Sequence, residues 1–590
     1  MSETEGGAPA HPEHPHHPEP FWRQYIFSAD HKVIGIQYGI TALVFLLIGL
    51  VLMLFMRWQL AYPIQPLPGF LHGLVSEELF PDGIMTDAAY NMFGAMHGTI
   101  MVFLGVVPLA VGAFGNYFVP LQIGAPDMAF PRINMASYWS FFLGGVVMLA
   151  SFFVPDGATQ AGWTNYPPLS TITPYWGQVL WLVGMIFLIT SSLLGSVNFI
   201  VTIIQLRAKG MTFMRLPFFV WSQLVTAFLL LLAFPPLEAA GVMQLMDRVA
   251  GTSFFAPSGL IISGEIPDLA GYGSALLWQH LFWFLAHPEV YVLILPAMGI
   301  VAEVVANNTR KPLFGYKSLV YSVVFVGFMS FIVWAHHMFM TGMGSTMSAF
   351  FQTTTMIISI PSVVILGALF ISLWGASIRF TTPMLFALGF LPMFGIGGLT
   401  GLPLGLSAAD IPLHDTLYVI GHFHYVVAPG TLLALFAGIY FWFPKITGRK
   451  MGDVLGQIHF WGTFVAMNGV FMPMLIQGLA GVSRRLYDGG ETYAHAQDVL
   501  WYNLVMSHSA FLLGAFQLVF IVNFVWSIFA GKKVDANPWE ATTLDWAACP
   551  SPPIGHGNFP EVPEVHRGPY EYSVPGQAAD FTPQNQSEMA

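Results

Sequence analysis

The run QHLFWFLAHPEVYVLILP, Gln279 to Pro296, places His280, His287, Glu289 and Tyr291 within a segment otherwise apolar enough to cross a bilayer. An ionisable side chain at membrane depth costs a few kcal/mol on insertion scales, so each such residue marks a candidate site. The pattern recurs: His97 lies in MFGAMHGTIMVF, His336 and His337 in VWAHHMFM, and His414, His422 and His424 in LHDTLYVIGHFHYV. A single histidine of this kind is more often a packing residue satisfied by its neighbours than a ligand. So many, on four apolar segments, reverse that expectation, and imidazole nitrogen points to transition metals. The single cysteine, Cys549, excludes a disulfide framework and any multi-cysteine metal or iron–sulfur site, which leaves histidines and carboxylates as ligands.

Helical spacing sorts these residues into sets. Residues two apart on an α-helix are turned by about 200°, so His422 and His424 face nearly opposite sides and address two different centres. Two large planar cofactors flanking one helix could each take one axial imidazole. His287 and Tyr291, four apart, share a face, while Glu289 is turned to the other. His287 with the adjacent His336 and His337 makes three nitrogen ligands and an open position, which suits copper or zinc and leaves room for a substrate.

The elements that must position these residues are membrane helices. The chain is 55% hydrophobic and only 9% charged, against about 25% charged in soluble domains. Apolar runs long enough to span a hydrocarbon core, about 20 residues of helix, recur near 34–56, 93–118, 136–154, 176–205, 217–241, 271–305, 315–335, 350–375, 383–405, 414–444, 455–480 and 498–530. This predicts an all-α integral membrane protein with about twelve transmembrane helices over residues 21–535. A disordered His/Pro-rich leader, 1–20, without the apolar core of a signal peptide, precedes them. A polar, Pro-rich tail, 536–590, expected to be extended or disordered, follows. The net charge of −11 comes largely from the soluble ends and gives no support to a nucleic-acid partner. Arg132, Arg207, Lys209, Arg215, Arg310, Lys311, Lys317, Arg379, Lys445, Arg449 and Lys450 all follow even-numbered spans, which predicts both termini inside. Arg57, Arg248, Arg484 and Arg485 fall on the outer side. An anionic ligand would explain the adjacent Arg484 and Arg485, whereas Arg248 reads as an ordinary loop charge.

Taken together, HPEVY, WAHH and HDTLYVIGHFHY at these separations resemble the catalytic subunit of the heme–copper oxygen reductases, subunit I of terminal oxidases, from about Phe21 to Trp546. The resemblance implies that His97 and His424 are the axial ligands of a low-spin heme and His422 the proximal ligand of a high-spin heme. His287, His336 and His337 would hold copper facing that heme, with Tyr291 joined covalently to His287. Glu289, amid Phe282, Trp283 and Phe284, would hand protons inward. Reduction of O2 to water takes four electrons and four protons, and Tyr291 would act as an additional electron donor beside the metals. Arg484 and Arg485 would clamp heme propionates through paired hydrogen bonds, with Trp163 nearby and Arg57 at the edge of the low-spin heme, beside its formyl group if the heme is of the A type. His414 and Asp415 resemble a magnesium or manganese site completed by a neighbouring subunit. The expected cofactors are thus two hemes, type A favoured, one copper, and Mg or Mn at a subunit interface. The expected partners are membrane lipid, subunits II and III, cytochrome c or another donor complex, and O2, in a bacterial cytoplasmic membrane.

The same resemblance assigns an inner proton entrance to Asp127, narrowed by Asn116 and Asn134, with Asn198 further along a water chain to Glu289. A second path departs from the family pattern: Ile365 stands four residues after Pro361, where a lysine is usual, and Ala302 where a serine is frequent. Ser359 and Ser362, with Thr353, Thr354 and Thr355, are candidate hydroxyl relays, or else they bond to their own helix backbone. Within this fold a quinol oxidase is the alternative to a cytochrome c oxidase. A nitric oxide reductase fits less well, because its relatives typically lack this tyrosine and this proton entrance. A transporter with histidines along an ion path has no need of ligand pairs on opposite faces of one helix.

Overall fold

The computed structural model describes residues 20–261, 264, 271–555 and 557–587. The expected leader lies outside the described residues except for Pro20. Among the described residues, twelve helices are long and apolar enough to cross a membrane: α1 His31–Ala61, α2 Asp87–Ile123, α3 Pro131–Phe153, α4 Tyr175–Gln205, α5 Phe218–Val249, α6 Ala275–Thr309, α7 Tyr316–Thr341, α8 Gly344–Leu373, α9 Thr382–Leu404, α10 Leu417–Thr447, α11 Asp453–Leu479 and α12 Tyr502–Ala530. They match the twelve apolar runs of the sequence, most ends falling within a few residues of the expected ones.

Helix ends are set by local chemistry. Thr86 accepts a hydrogen bond from the Ala89 amide at the start of α2, and Thr381 from the Met384 amide at the start of α9. Gly124 and Gly448, both left-handed, close α2 and α10. Helices consecutive in sequence pack as antiparallel neighbours, with α3 on α4, α4 on α5, α5 on α6 and α11 on α12, and α12 returns to α1. Helix α6, which carries HPEVY, is buried along almost its whole length, whereas α1 and α12 turn most of their surface outward. The histidines of α2, α6, α7 and α10 therefore converge on the interior.

Three helices depart from regular α geometry beside those histidines. Residues Ile100–Val106 and Pro108–Ala113, following His97, and Val426–Leu432, following His424, are wound as π-helix, a local widening that recurs at functional sites. In α7 the α-helical winding stops at Met329, and Trp334–Thr341 is a tighter 3-10 turn.

Of the two forms expected for the tail, extended or disordered, the structure shows an ordered chain with few regular elements. Residues 536–555 and 557–587 contain little regular structure but are packed across the helix ends on the side where Gly124 and Gly448 close α2 and α10, burying Trp539, Leu544, Trp546, Val565, Tyr570 and Tyr572. Its aromatic and polar side chains satisfy groups that the helix ends leave open. The Tyr570 hydroxyl donates to Glu303 Oε1 at 2.5 Å and accepts from the Phe218 amide at 2.7 Å. Arg310 holds Asp580 through two bonds, at 2.9 and 2.6 Å. A two-residue antiparallel pair, Arg449–Lys450 with Lys532–Lys533, ties the end of α10 to the end of α12.

Candidate functional site

The break in α7 is what brings His336 and His337 together. On a regular α-helix adjacent side chains diverge by about 100°, yet here the two Nε2 atoms are 3.0 Å apart. His287 Nδ1, from α6, lies 3.3 Å from His337 Nε2. One ligand nitrogen from each of the three falls within a 4.8 Å cluster. Nitrogens about 2.0–2.1 Å from one tetrahedral ion stand roughly 3.3 Å from each other, so the spacing fits a single metal ion. The Thr355 hydroxyl donates to the Phe351 carbonyl at 2.6 Å, so its oxygen is left to accept from His336 Nδ1, 2.8 Å away. That fixes the proton on Nδ1 and leaves Nε2 bare toward the cluster. Trp283 stacks on His337 with ring centroids 3.8 Å apart and planes 11° from parallel. Tyr291 lies against His287, centroids 5.0 Å apart, and His287 Nε2 is buried without a partner.

These side chains share one cavity of about 1810 Å³, partly open at the helix surface, with His97, His422, His424, Arg57, Trp163, Arg484 and Arg485. The three further imidazoles are held alike. His97 Nδ1 donates to the Gly49 carbonyl at 2.8 Å, His422 Nδ1 to the Gly397 carbonyl at 2.9 Å, and His424 Nδ1 to the Ile420 carbonyl at 2.8 Å. Each keeps a bare Nε2, the state an axial ligand needs. The cavity walls are mostly apolar, and Gly395 and Gly398 line it where a β-carbon would meet only Leu366 or nothing within 4 Å. Arg57 is buried with Nε and Nη1 unpaired, a cost that a ligand oxygen in the cavity would remove. The residues therefore fit planar, histidine-ligated groups with polar edges.

Glu289 is the junction of two spaces. It lines the large cavity and also a second one of about 50 Å³ that reaches Asn116, Ser137, Ser191 and Ser196. Both its carboxyl oxygens are buried and unpaired. The smaller space has room for a few water molecules beside polar groups. Asn134 is buried nearby with both amide atoms unpaired, although it does not line that space. Asn198 spends its amide on the Phe130 backbone, accepting from its N–H at 2.9 Å and donating to its carbonyl at 3.2 Å. Asp127 lies on the loop between α2 and α3, and burial raises its carboxyl above the ordinary range against the lowering effect of His31.

On α8, Thr353, Thr354, Ser359 and Ser362 all donate to their own helix carbonyls. Ser359, Ser362 and Ile365 line the large cavity, whereas Thr353 is exposed on the outside of the helix. His280 stands apart from the site, accepting from Trp334 Nε1 at 3.3 Å.

At the end of the cavity near the α11–α12 loop, Arg484 pairs with Asp415 and keeps a buried, unpaired Nε. Burial and the neighbouring Arg484 lower the Arg485 guanidinium to about 10. Trp163 packs on Phe282, with ring centroids 5.4 Å apart. His414 Nδ1 is 3.4 Å from Asp410 and its Nε2 3.9 Å from Asp415. The hydrogen bond to Asp410 raises the His414 imidazole above its usual value. Asp410, on the short helix Ser407–Leu413, was missed in the sequence; its position four residues before His414 was the available signal. Arg248 lies in the last turn of α5 and not in a loop, and donates to the Thr171 and Thr173 carbonyls.

Fold and site together define a multi-span metalloprotein with three axial-type histidines and a three-histidine cluster in one cavity. The chain matches the model of the family described as "Cytochrome C and Quinol oxidase polypeptide I" over residues 33–512. It is 46% identical over 575 residues, 96% of this chain and 94% of the relative, to a protein of Bradyrhizobium diazoefficiens named "Alternative cytochrome c oxidase subunit 1". It is 43% identical to "Cytochrome c oxidase subunit 1" of Synechocystis, covering 95% of both chains. A solved heme–copper terminal oxidase dimer shares the fold, with a TM-score of 0.68 at 19% identity over 85% of this chain and 84% of that one. The chain belongs to the cytochrome c and quinol oxidase polypeptide I family, and is subunit I of a heme–copper oxidase. Hemes and copper are its cofactors, O2 its substrate and other oxidase subunits its partners.

Proposed function

We propose that this subunit reduces O2 to water and couples the reaction to proton translocation, taking electrons from cytochrome c through subunit II in a bacterial cytoplasmic membrane. The observation that carries the reading is the convergence of His287, His336, His337, Tyr291, Glu289 and His422 on one cavity. When bound, the hemes and copper supply one-electron transfer and oxygen binding. His97 and His424 hold the low-spin heme, His422 the high-spin heme, and His287, His336 and His337 the copper. The unpaired His287 Nε2 is free for the covalent bond to a Tyr291 ring carbon implied by the family resemblance, a coupling that breaks one N–H and one C–H bond and passes two electrons and two protons to O2. Tyr291, beside the copper ligands, gives one electron and one proton to the O2 under reduction and is left as a neutral radical, which an electron from the donor and a proton then restore. Type A heme is supported by the unpaired Arg57 guanidinium, suited to a formyl oxygen, and by the continuation of the cavity past Phe436 and Gln517 to Val525, as for a long apolar tail. Arg484, Arg485 and Trp163 hold the propionates. His414 and Asp415, with Asp410 beside them, supply part of a Mg or Mn site that another subunit completes.

Protons enter from the inner side at Asp127, pass Asn116 and Asn134, and reach Glu289, whose carboxyl faces both spaces and carries them to the large cavity. Asn198 holds the Asp127 loop by its backbone, a positioning duty beside the water-chain role read from the sequence. Ser359 and Ser362 stand on the wall of a second approach in which Ile365 cannot relay a proton.

The test is simultaneous measurement of O2 consumption and proton release in sealed vesicles, for wild type and Asp127→Asn, with reduced cytochrome c and with quinol. Loss of both activities in the variant assigns the proton supply to Asp127. Turnover without pumping moves the chemical protons to another entrance. Turnover driven by quinol alone replaces the donor assignment.

A further inference from the structure

The tail does more than cover the helix ends: it reaches the loop that carries Asp127. Asn558 is fully buried, and its amide nitrogen donates to the Ala125 carbonyl at 2.9 Å and the Pro126 carbonyl at 3.0 Å, the two residues before Asp127. Its amide oxygen accepts from Lys32 Nζ at 2.8 Å and lies 3.0 Å from His31 Nε2. The other nitrogen of that ring, Nδ1, is 2.7 Å from the Asn116 carbonyl. One amide thus ties the α2–α3 loop to the start of α1. Its backbone sits at φ 65°, in the left-handed region that asparagine tolerates better than most residues. From the opposite side the loop is held by α4, where Thr202 accepts from the Ala129 amide at 2.9 Å and Asn198 brackets Phe130. Among the described residues, the hydrogen bond recorded for the Asp127 carboxylate is local, from the Met128 amide at 2.6 Å. Its position is therefore set by the backbone to which these two brackets are bound.

We propose that Asn558 is a positioning residue for proton uptake, holding the Asp127 loop against the start of α1 so that the carboxyl stays at the mouth of the path. The inference rests on the reading of Asp127 as the proton entrance. Removing the side chain frees the Ala125 and Pro126 carbonyls while the α4 bracket remains. The loop then samples positions in which the Asp127 carboxyl leaves the mouth of the path, and proton delivery slows while the metal sites stay intact.

The experiment uses the assembled oxidase in vesicles, with ascorbate and tetramethylphenylenediamine as donor. The variants are Asn558→Gly and Asn558→Asp, each alone and combined with Asp127→Asn. Glycine keeps the left-handed backbone and removes only the amide. Aspartate keeps the acceptor for Lys32 and loses both donors to the carbonyls. The expected result is kcat lower by on the order of tenfold, as two lost hydrogen bonds suggest, with unchanged KM for the donor and full heme and copper content. In the Asp127→Asn background the further loss is less than twofold. Wild-type turnover and proton release in both single variants overturn the inference, as does an undiminished loss in the Asp127→Asn background. If Asn558→Gly loses heme or copper, Asn558→Asp decides by the same criteria. If Asp127→Asn alone leaves turnover and proton release unchanged, it is the reading of Asp127 that fails.

Discussion

Thr355 gives the sharpest test of how the three-histidine cluster is built. Its hydroxyl hydrogen goes to the Phe351 carbonyl, so its oxygen is the acceptor that keeps the proton of His336 on Nδ1. Thr355→Val preserves shape and β-branching but removes that acceptor. The Nδ1–H is then buried without a partner, at a cost of about 1–3 kcal/mol. Its escape is to the other tautomer, which puts a hydrogen on Nε2, 3.0 Å from His337 Nε2, and withdraws one ligand. Loss of an outer-shell partner generally weakens metal binding by about tenfold to a hundredfold, which is roughly 1.4–2.7 kcal/mol and agrees with the first figure. Copper per heme, measured by mass spectrometry after dialysis against graded chelator, should shift by that factor. Thr355→Ser, which keeps the hydroxyl, should restore it. Copper retention within twofold of wild type in Thr355→Val would refute the tautomer argument.

Glu289→Gln keeps the shape of the side chain but cannot release a proton; turnover should fall by about a hundredfold or more with unchanged heme spectra, and a loss below tenfold would remove Glu289 from the path. Gly398→Leu extends into the large cavity where a β-carbon meets nothing within 4 Å, so heme content by pyridine hemochrome should drop, and full content would show that the heme sits elsewhere. Its hydrogen bond to Arg310 holds the Asp580 carboxyl below its ordinary value of 3.8. A lowered carboxylate stabilises the folded tail above the unperturbed value and loses that contribution as pH falls through the lowered one. Asp580→Asn should therefore speed proteolytic nicking of the tail at neutral pH, by about 1 kcal/mol or less because Asp580 is 45% exposed. Below the lowered value the variant and wild type should converge; equal nicking at neutral pH would show the pair to be inert.

Much of the site was legible because membrane depth makes polar side chains conspicuous and helical periodicity sorts them. The opposite facing of His422 and His424 followed from two-residue spacing, and the sharing of a face by His287 and Tyr291 from four-residue spacing. Asp410 escaped notice because a carboxylate near a helix start is common, and only its packing on His414 marks it. The tail escaped because proline-rich, polar composition reads as open chain. Its burial comes from scattered aromatics and amides that find partners on α1, α5, α6, α7 and α10.

By itself the sequence determined the twelve membrane helices, since each segment's hydropathy and length suffice when water is absent from the core. It also determined the ligand types, since no thiol set was available. Tertiary structure alone decided that two adjacent histidines address one point, because that required α7 to abandon α-helical winding at Met329. It alone decided the tautomers, which depend on carbonyls of Gly49 and Gly397 and on Thr355, each brought in from another helix. It alone decided that Glu289 joins two cavities and that Asn558 reaches Ala125 across more than four hundred residues. Periodicity is a property of one segment, whereas hydrogen-bond partners and enclosed space belong to the packing of several.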